Sequence, residues 1–107
     1  MLNIEAVKRD IVEKLKPLNP YRVILFGSYA YGTPTEDSDL DICIIEKNIF
    51  SKKEKKSKIR EALKDIKIAK DIVVENYDYF MAHSDKNWIN TALYDARHNG
   101  IVLYEEK

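Results

Sequence analysis

Cysteine, proline and glycine are scarce in this chain, and glutamine is absent. The 107 residues include one cysteine, Cys43, three prolines and three glycines. A single cysteine cannot form an internal disulfide, which suits a reducing, cytoplasmic environment. Cys43 falls in the middle of an apolar run, so we interpret it as a small core residue rather than a reactive thiol. Repeats, low-complexity tracts and linkers are also missing, and we therefore expect residues 1–107 to form a single domain.

The chain also lacks an excess charge of either sign and has no long hydrophobic run. Its 18 basic residues balance its 18 acidic residues, so no overall field attracts it to nucleic acid or to a membrane. No apolar stretch approaches membrane-spanning length, and the charged segment 1–16 argues against a signal peptide. The hydrophobic content of 45% excludes general disorder and supplies one modest core. We expect a cytoplasmic protein without membrane association.

Hydrophobic spacing predicts alternating helices and strands. Pro17 and Pro20 end the first helix, and Ser51 with Glu54 forms a capping-box signature for a later one. Gly100 is placed to cap the last helix. The predicted helices are 3–16, 28–31, 51–68 and 84–98, and the predicted strands are 21–26, 39–45, 69–74 and 101–104. This order predicts a small α/β domain.

Two neighbouring motifs carry most of the functional information. The apolar run before Gly27 leads into a Gly27-Ser28 turn, and ten residues later Asp39 and Asp41 open a second apolar run. Alternate residues of a strand point to the same face, so these two carboxylates lie side by side. Paired oxygen ligands beside a Gly-Ser turn suit a divalent cation that holds a polyphosphate. The alternative is an ordinary turn followed by solvated aspartates, but strands that enter a core rarely carry two inward carboxylates without a use.

The spacing Gly-Ser, ten residues, Asp-X-Asp resembles the nucleotidyltransferase superfamily that includes DNA polymerase β. The closer likeness is to its minimal nucleotidyltransferase (MNT) branch, the antitoxins paired with HEPN toxins. This resemblance implies a mixed β-sheet with helices mainly on one face. It also implies a third carboxylate on a later strand, and Asp71, in a short apolar run after a helix, fits that position.

The resemblance further implies the chemistry of the site. Asp39 and Asp41 would share two Mg²⁺ ions, and Asp71 would hold the ion that activates the acceptor hydroxyl. Gly27 and Ser28 would bind the phosphates of ATP. The expected reaction is transfer of AMP to a hydroxyl, in this branch a tyrosine of a separate HEPN ribonuclease toxin. The alternatives are a non-catalytic antitoxin that acts by occlusion, and a stand-alone nucleotidyltransferase acting on RNA or a small molecule.

Three further features leave alternatives open. Many relatives carry arginine or lysine where this chain has Tyr29 and Tyr31, so positive charge must come from elsewhere. Segment 52–70 holds nine basic and three acidic residues, which could contact RNA or an acidic partner but is better explained as a solvated helix face. Tyr79 and Phe80, within segment 75–81, could dock a protein acceptor or a second copy of this chain, whereas Trp88 and Tyr104 are expected in the core.

Overall fold

The computed structural model describes residues 3–35 and 37–106. Five α-helices and four β-strands follow one another in that part of the chain, with short 3₁₀ turns after α1 and after α4. Their bounds are α1 Ile4–Leu15, β1 Arg22–Phe26, α2 Ser28–Tyr31, β2 Leu40–Glu46, α3 Lys52–Ala62, β3 Lys70–Asn76, α4 Tyr77–Ala82, α5 Ala92–Asn99 and β4 Ile101–Glu105. Of these helices, none combines the length and hydrophobicity needed to cross a membrane.

The four strands form one mixed sheet in the order β3-β2-β1-β4. Strand β1 lies in the centre and pairs antiparallel with both β2 and β4. Strands β2 and β3 run parallel, and α3 makes the crossover that parallel neighbours require. The mixed sheet expected from the sequence is confirmed.

The sheet separates two hydrophobic clusters. The longer helices α1 and α3 pack on one face, where Ile11, Leu15 and Ile59 meet the even-numbered residues of β2. The short helices α4 and α5 cover the other face, where Phe80 and Ala96 meet Ile24, Cys43 and their neighbours. Helices therefore lie on both faces of the sheet, and not mainly on one as expected. Alternation along β2 therefore decides which residues enter which cluster.

Cys43 belongs to the second of these clusters and is fully buried. Burial raises the pKa of its thiol to about 12, and the nearby Glu75 carboxylate adds to that rise. A thiol that is neutral and out of contact with solvent does not react as a nucleophile. The interpretation of Cys43 as a core residue is confirmed.

Two predicted helices are shorter in the structure than in the sequence analysis. Helix α3 begins as predicted, with the Ser51 hydroxyl accepting the Glu54 N–H, but it ends at Ala62 instead of continuing to residue 68. In the following turn, Leu63 and Ile66 are both buried against the sheet before β3 begins. Lys70 donates to the carbonyl oxygens of Ile66 and Ile68, which the helix no longer satisfies.

The predicted helix over 84–98 is wrong in its first half. Residues 86–88 form a 3₁₀ turn, Asn90 has a left-handed backbone with φ of 75°, and α5 begins only after Thr91. The Thr91 hydroxyl accepts the Tyr94 N–H and so caps α5. Consequently Trp88 and Ile89 are 38% and 55% exposed, and the core position expected for Trp88 is wrong.

Candidate active site

The Gly-Ser turn connects β1 to the single-turn helix α2. Gly27 has φ 73° and ψ −156°, a conformation that an L side chain rarely adopts. Its carbonyl oxygen accepts the Ala30 and Tyr31 N–H groups, at 3.0 and 3.2 Å. The first N–H groups of any helix have no partner inside the helix, and here they belong to Ser28 and Tyr29.

Gly27 lies directly against the Asp41 carboxylate. A Cβ atom built on Gly27 would lie 2.0 Å from Asp41 Oδ2, far closer than any non-bonded contact allows. Phe26, the residue before Gly27, is also the pairing partner of Asp41 across the sheet. The turn and the carboxylate are therefore in contact, and only glycine permits that contact.

Asp41 and Asp71 are neighbours across the parallel β2–β3 pair. They are register partners, so their side chains leave the sheet on the same face, from strands about 4.8 Å apart. That face is the one covered by α4 and α5, since Cys43 and Val73, two residues further along, pack there. Asp39 precedes β2 by one residue and is exposed. The structure thus pairs Asp41 with Asp71, with Asp39 at the entrance.

Like charges dominate the electrostatics around Asp41. Burial raises the pKa of Asp41, and the negative charges of Asp71, Asp39 and Asp95 raise it further. Within residues 3–35 and 37–106, no lysine or arginine forms an ion pair with any of these four carboxylates. The site concentrates negative charge and leaves it uncompensated, which is an arrangement that attracts cations.

Asp95 is a carboxylate of this site that the sequence analysis missed. It lies on α5, where its Oδ2 accepts the Tyr31 hydroxyl at 2.8 Å and its Oδ1 accepts the Asn99 amide at 2.9 Å. The hydrogen bond to Asp95 raises the pKa of Tyr31. Tyr31 therefore joins the end of α2 to α5. The i, i+4 pair Asp95 and Asn99 was the only local signal, and it gave no indication of the contact with α2.

The donor set fits a hard divalent cation. Asp39, Asp41 and Asp71 offer only carboxylate oxygens, and the close fit of Gly27 keeps the Asp41 carboxylate in place. As the side chains stand, no group of three acidic, histidine or cysteine residues in the described ranges is close enough to hold one ion. The three-carboxylate cluster therefore stays a prediction.

The chain is similar to known nucleotidyltransferases in sequence. The nucleotidyltransferase domain model matches residues 5–94, which include every candidate site residue except Asp95. A protein of Methanocaldococcus jannaschii whose name assigns it protein adenylyltransferase activity is 46% identical over 59 residues. That match covers 55% of this chain and 59% of the relative, so the chain spans less than two thirds of that protein's length.

Solved structures show the same fold at low sequence identity. A toxin–antitoxin crystal structure with AMP-PNP superposes with a TM-score of 0.66 at 17% identity, over 94% of this chain and 74% of the other. The MNT antitoxin complex with the tri-AMPylated HEPN toxin of Shewanella oneidensis gives a TM-score of 0.63 at 14% identity, over 97% and 74%. Because the family model covers most of the chain and these folds agree, the chain belongs to the nucleotidyltransferase domain family.

Proposed function

We propose that this protein is a Mg²⁺-dependent nucleotidyltransferase that transfers AMP from ATP to a tyrosine hydroxyl of a partner HEPN ribonuclease toxin. The observation that carries the proposal is the contact between Gly27 and Asp41, with Asp71 beside Asp41 in register. It brings a turn suited to phosphates against carboxylates suited to metal ions. The acceptor oxygen bonds to the α-phosphorus, and pyrophosphate leaves with the electron pair of the broken bond.

Asp39, Asp41 and Asp71 would hold the ions. When bound, two Mg²⁺ ions lower the pKa of the attacking hydroxyl and neutralise the leaving pyrophosphate. Asp41 lies against Gly27. Its pKa is raised first by burial and then by the negative charges of Asp71, Asp39 and Asp95, and a bound cation would offset that repulsion. Asp39, exposed one residue before β2, would supply the third carboxylate.

Gly27 and Ser28 would bind the phosphate chain. Without a side chain, Gly27 lets phosphate oxygens approach the backbone, and the N–H groups at the start of α2 point outward from the turn. The Ser28 hydroxyl adds one donor. Tyr31 supplies no positive charge here, since a phenol carries none, and its hydroxyl is already hydrogen-bonded to Asp95. The metal ions would supply the positive charge that relatives take from a basic side chain.

The choice of a protein acceptor rests on the relatives. The M. jannaschii protein is named for adenylyl transfer to protein, and the S. oneidensis toxin in complex with an MNT antitoxin carries AMP. The described residues form one compact unit about 38 Å long, with the carboxylates at one end of its sheet. An acceptor that brings its own surface would complete such an open site.

A label-transfer assay tests the proposal. The protein, a helical Arg-X4–6-His toxin encoded beside it and ATP labelled at the α-phosphate are mixed with Mg²⁺ or with EDTA. We expect label on the toxin only with Mg²⁺, and loss of the label when the acceptor tyrosine is replaced by phenylalanine. Asp41→Asn should abolish transfer, whereas Asp10→Asn, at an exposed position of α1 on the other face of the sheet, should not.

The same assay separates the alternative functions. Toxin inhibition by Asp41→Asn at wild-type strength, with no label in either protein, would favour neutralisation by occlusion. Label on RNA or on a small molecule but never on the toxin would favour the stand-alone transferase.

A further inference from the structure

A cavity of about 360 Å³ adjoins the carboxylate site on the α5 side. It lies between the segment before α5 and the helix itself. Its walls are formed by Ile89, Asn90, Thr91, Ala92, Tyr94, Asp95 and Asn99. Small-molecule sites have volumes of about 300 to 1,000 Å³, so the cavity has room for one small ligand group.

Asp95 connects this cavity to the phosphate turn. Its carboxylate lines the cavity and accepts the Tyr31 hydroxyl at 2.8 Å. Tyr31 is the last residue of α2, and Ser28 at the phosphate turn is the first. The Tyr31 side chain therefore links the cavity to the helix that begins at the phosphate turn, and α5 covers the same face of the sheet that carries Asp41.

The lining suits an uncharged, hydrogen-bonding group and not a phosphate. It contains one carboxylate and no lysine or arginine. Ile89 supplies an apolar wall, and Tyr94 an aromatic ring that stacks on His98 with centroids 4.2 Å apart. The Asn90 amide and the Asn99 side-chain oxygen make no hydrogen bond to the residues that the structure describes, so a donor and an acceptor remain available.

We propose that this cavity binds the nucleoside part of the triphosphate, with the Asn90 and Asn99 side chains hydrogen-bonded to the base or ribose. The proposal rests on the proposed function, since it assumes phosphates at Gly27 and Ser28. A purine nucleoside combines a flat apolar face with donors and acceptors at its edge, which matches Ile89, Tyr94 and the two amides. Contacts in the cavity would thus make the affinity for ATP higher than the affinity for the phosphate chain alone.

Calorimetry with Mg²⁺-ATP and Mg²⁺-tripolyphosphate separates the two contributions. Wild-type protein should bind ATP about tenfold more tightly than tripolyphosphate, since two hydrogen bonds are worth about that much together. Ala92→Phe places a ring in the cavity and should reduce ATP affinity to that of tripolyphosphate, with tripolyphosphate affinity unchanged. Ala82→Phe, at an exposed position of α4 outside the cavity, is the matched control and should bind both as wild type does.

Each outcome decides a different claim. Wild-type ATP affinity in Ala92→Phe would overturn the assignment of the cavity and leave the proposed function standing. Failure of wild-type protein to bind either ligand would overturn the proposed function and the cavity assignment together. Equal affinity of wild-type protein for ATP and tripolyphosphate would show that no nucleoside contact exists.

A second measurement uses only wild-type protein, so its result does not depend on whether a variant folds. Amide chemical shifts are recorded with saturating Mg²⁺-tripolyphosphate and then with saturating Mg²⁺-ATP. The nucleoside assignment predicts that the differences between the two spectra concentrate at residues 89–95 and at Asn99. Differences confined to α3 or to residues 75–81 would place the nucleoside elsewhere.

Discussion

Acidic residues lie at both ends of the parallel β2–β3 pair, but only those at the far end have basic partners among the described residues. At the start of the strands, Asp41 and Asp71 face each other without a basic partner among the described residues. At the far end, Glu46 contacts Lys55 at 2.5 Å and Glu75 contacts Lys52 at 2.6 Å, both from α3. The protein can neutralise strand-end carboxylates with α3 lysines, and it does so only at the end away from the proposed site.

The comparison also explains part of the lysine-rich segment. Lys52 and Lys55 attach the first turns of α3 to the sheet, and Lys58 lies 3.9 Å from Glu54 on the helix surface. These lysines are committed to carboxylates of their own chain, so they add little to a nucleic-acid surface. The interpretation of this segment as a mostly solvated helix face agrees with these contacts.

The largest expected effect comes from removing the unpaired carboxylates. Asp41→Asn/Asp71→Asn should weaken Mg²⁺-dependent ATP binding by about 100-fold or more, because metal-held charge is worth several kcal/mol. The melting temperature should stay the same or rise, since the substitution removes repulsion. Calorimetry and thermal unfolding measure the two effects. A lower melting temperature with unchanged ATP affinity would show that Asp41 and Asp71 stabilise the fold and do not serve nucleotide binding.

Removing the lysine partner of Glu46, at the far end of the strands, should lower stability without weakening ATP binding. Lys55→Met leaves Glu46 buried without its partner, and we expect a loss of about 2 kcal/mol in the free energy of unfolding, less than for a fully buried pair. ATP affinity should be preserved. Lys58→Met removes an exposed contact of the same helix and should change stability by about 0.5 kcal/mol or less. Urea denaturation distinguishes the variants, and equal losses would mean that burial of the Glu46 pair is unimportant.

Gly27→Ala tests the contact between the turn and Asp41. The left-handed backbone alone should cost about 1 to 2 kcal/mol, and the new Cβ would also displace the Asp41 carboxylate. We expect lower stability together with weaker ATP binding. By contrast, Asp41→Asn/Asp71→Asn should weaken only binding, and Lys55→Met should lower only stability. Ile59→Val, in the core on the other face of the sheet, is the control; it should cost about 0.5 to 1.5 kcal/mol of stability and retain nucleotide binding. Wild-type binding in Gly27→Ala would contradict the proposed geometry.

The smallest expected effect is a dependence of stability on pH. Because folding raises the pKa of Asp41, the folded state favours its protonated form, and this contribution to stability is lost as pH rises through the folded pKa. Asp41→Asn should therefore match wild type at low pH and become relatively more stable toward neutral pH. Denaturation of both proteins from about pH 3 to pH 7 measures the difference. A difference independent of pH would show that the Asp41 charge is compensated.

Local signals made the Gly-Ser turn and the Asp-X-Asp pair readable in the sequence. The spacing of two between Asp39 and Asp41 predicts a common face of a strand, but β2 begins at Leu40 and only Asp41 lies within it. The partnership of Asp41 with Asp71 depends on the β2–β3 register, which follows from pairing across thirty residues and was available only through the family resemblance. Asp95 stayed hidden because its contact with Tyr31 joins residues 64 apart through the tertiary structure alone.

The break in the helix predicted over residues 84–98 has local causes in the sequence. Thr91 is a cap residue immediately before α5, and Asn90 is among the few residue types that tolerate a positive φ. Together they mark the start of a new helix inside the apolar pattern of residues 84–98. The apolar spacing was real, but it belonged to short segments that pack separately on the sheet.

The parallel register of β2 and β3 also links correct placement of the carboxylates to the stability of the fold. A slip of one residue would turn Asp71 toward α1 and α3 and Ile72 toward the carboxylates. The slipped chain would bury an unpaired charge and expose an isoleucine, at a cost comparable to the entire stability of a small domain. A chain with a misaligned site would therefore be too unstable to stay folded, so that folded copies share one relative placement of Asp41 and Asp71.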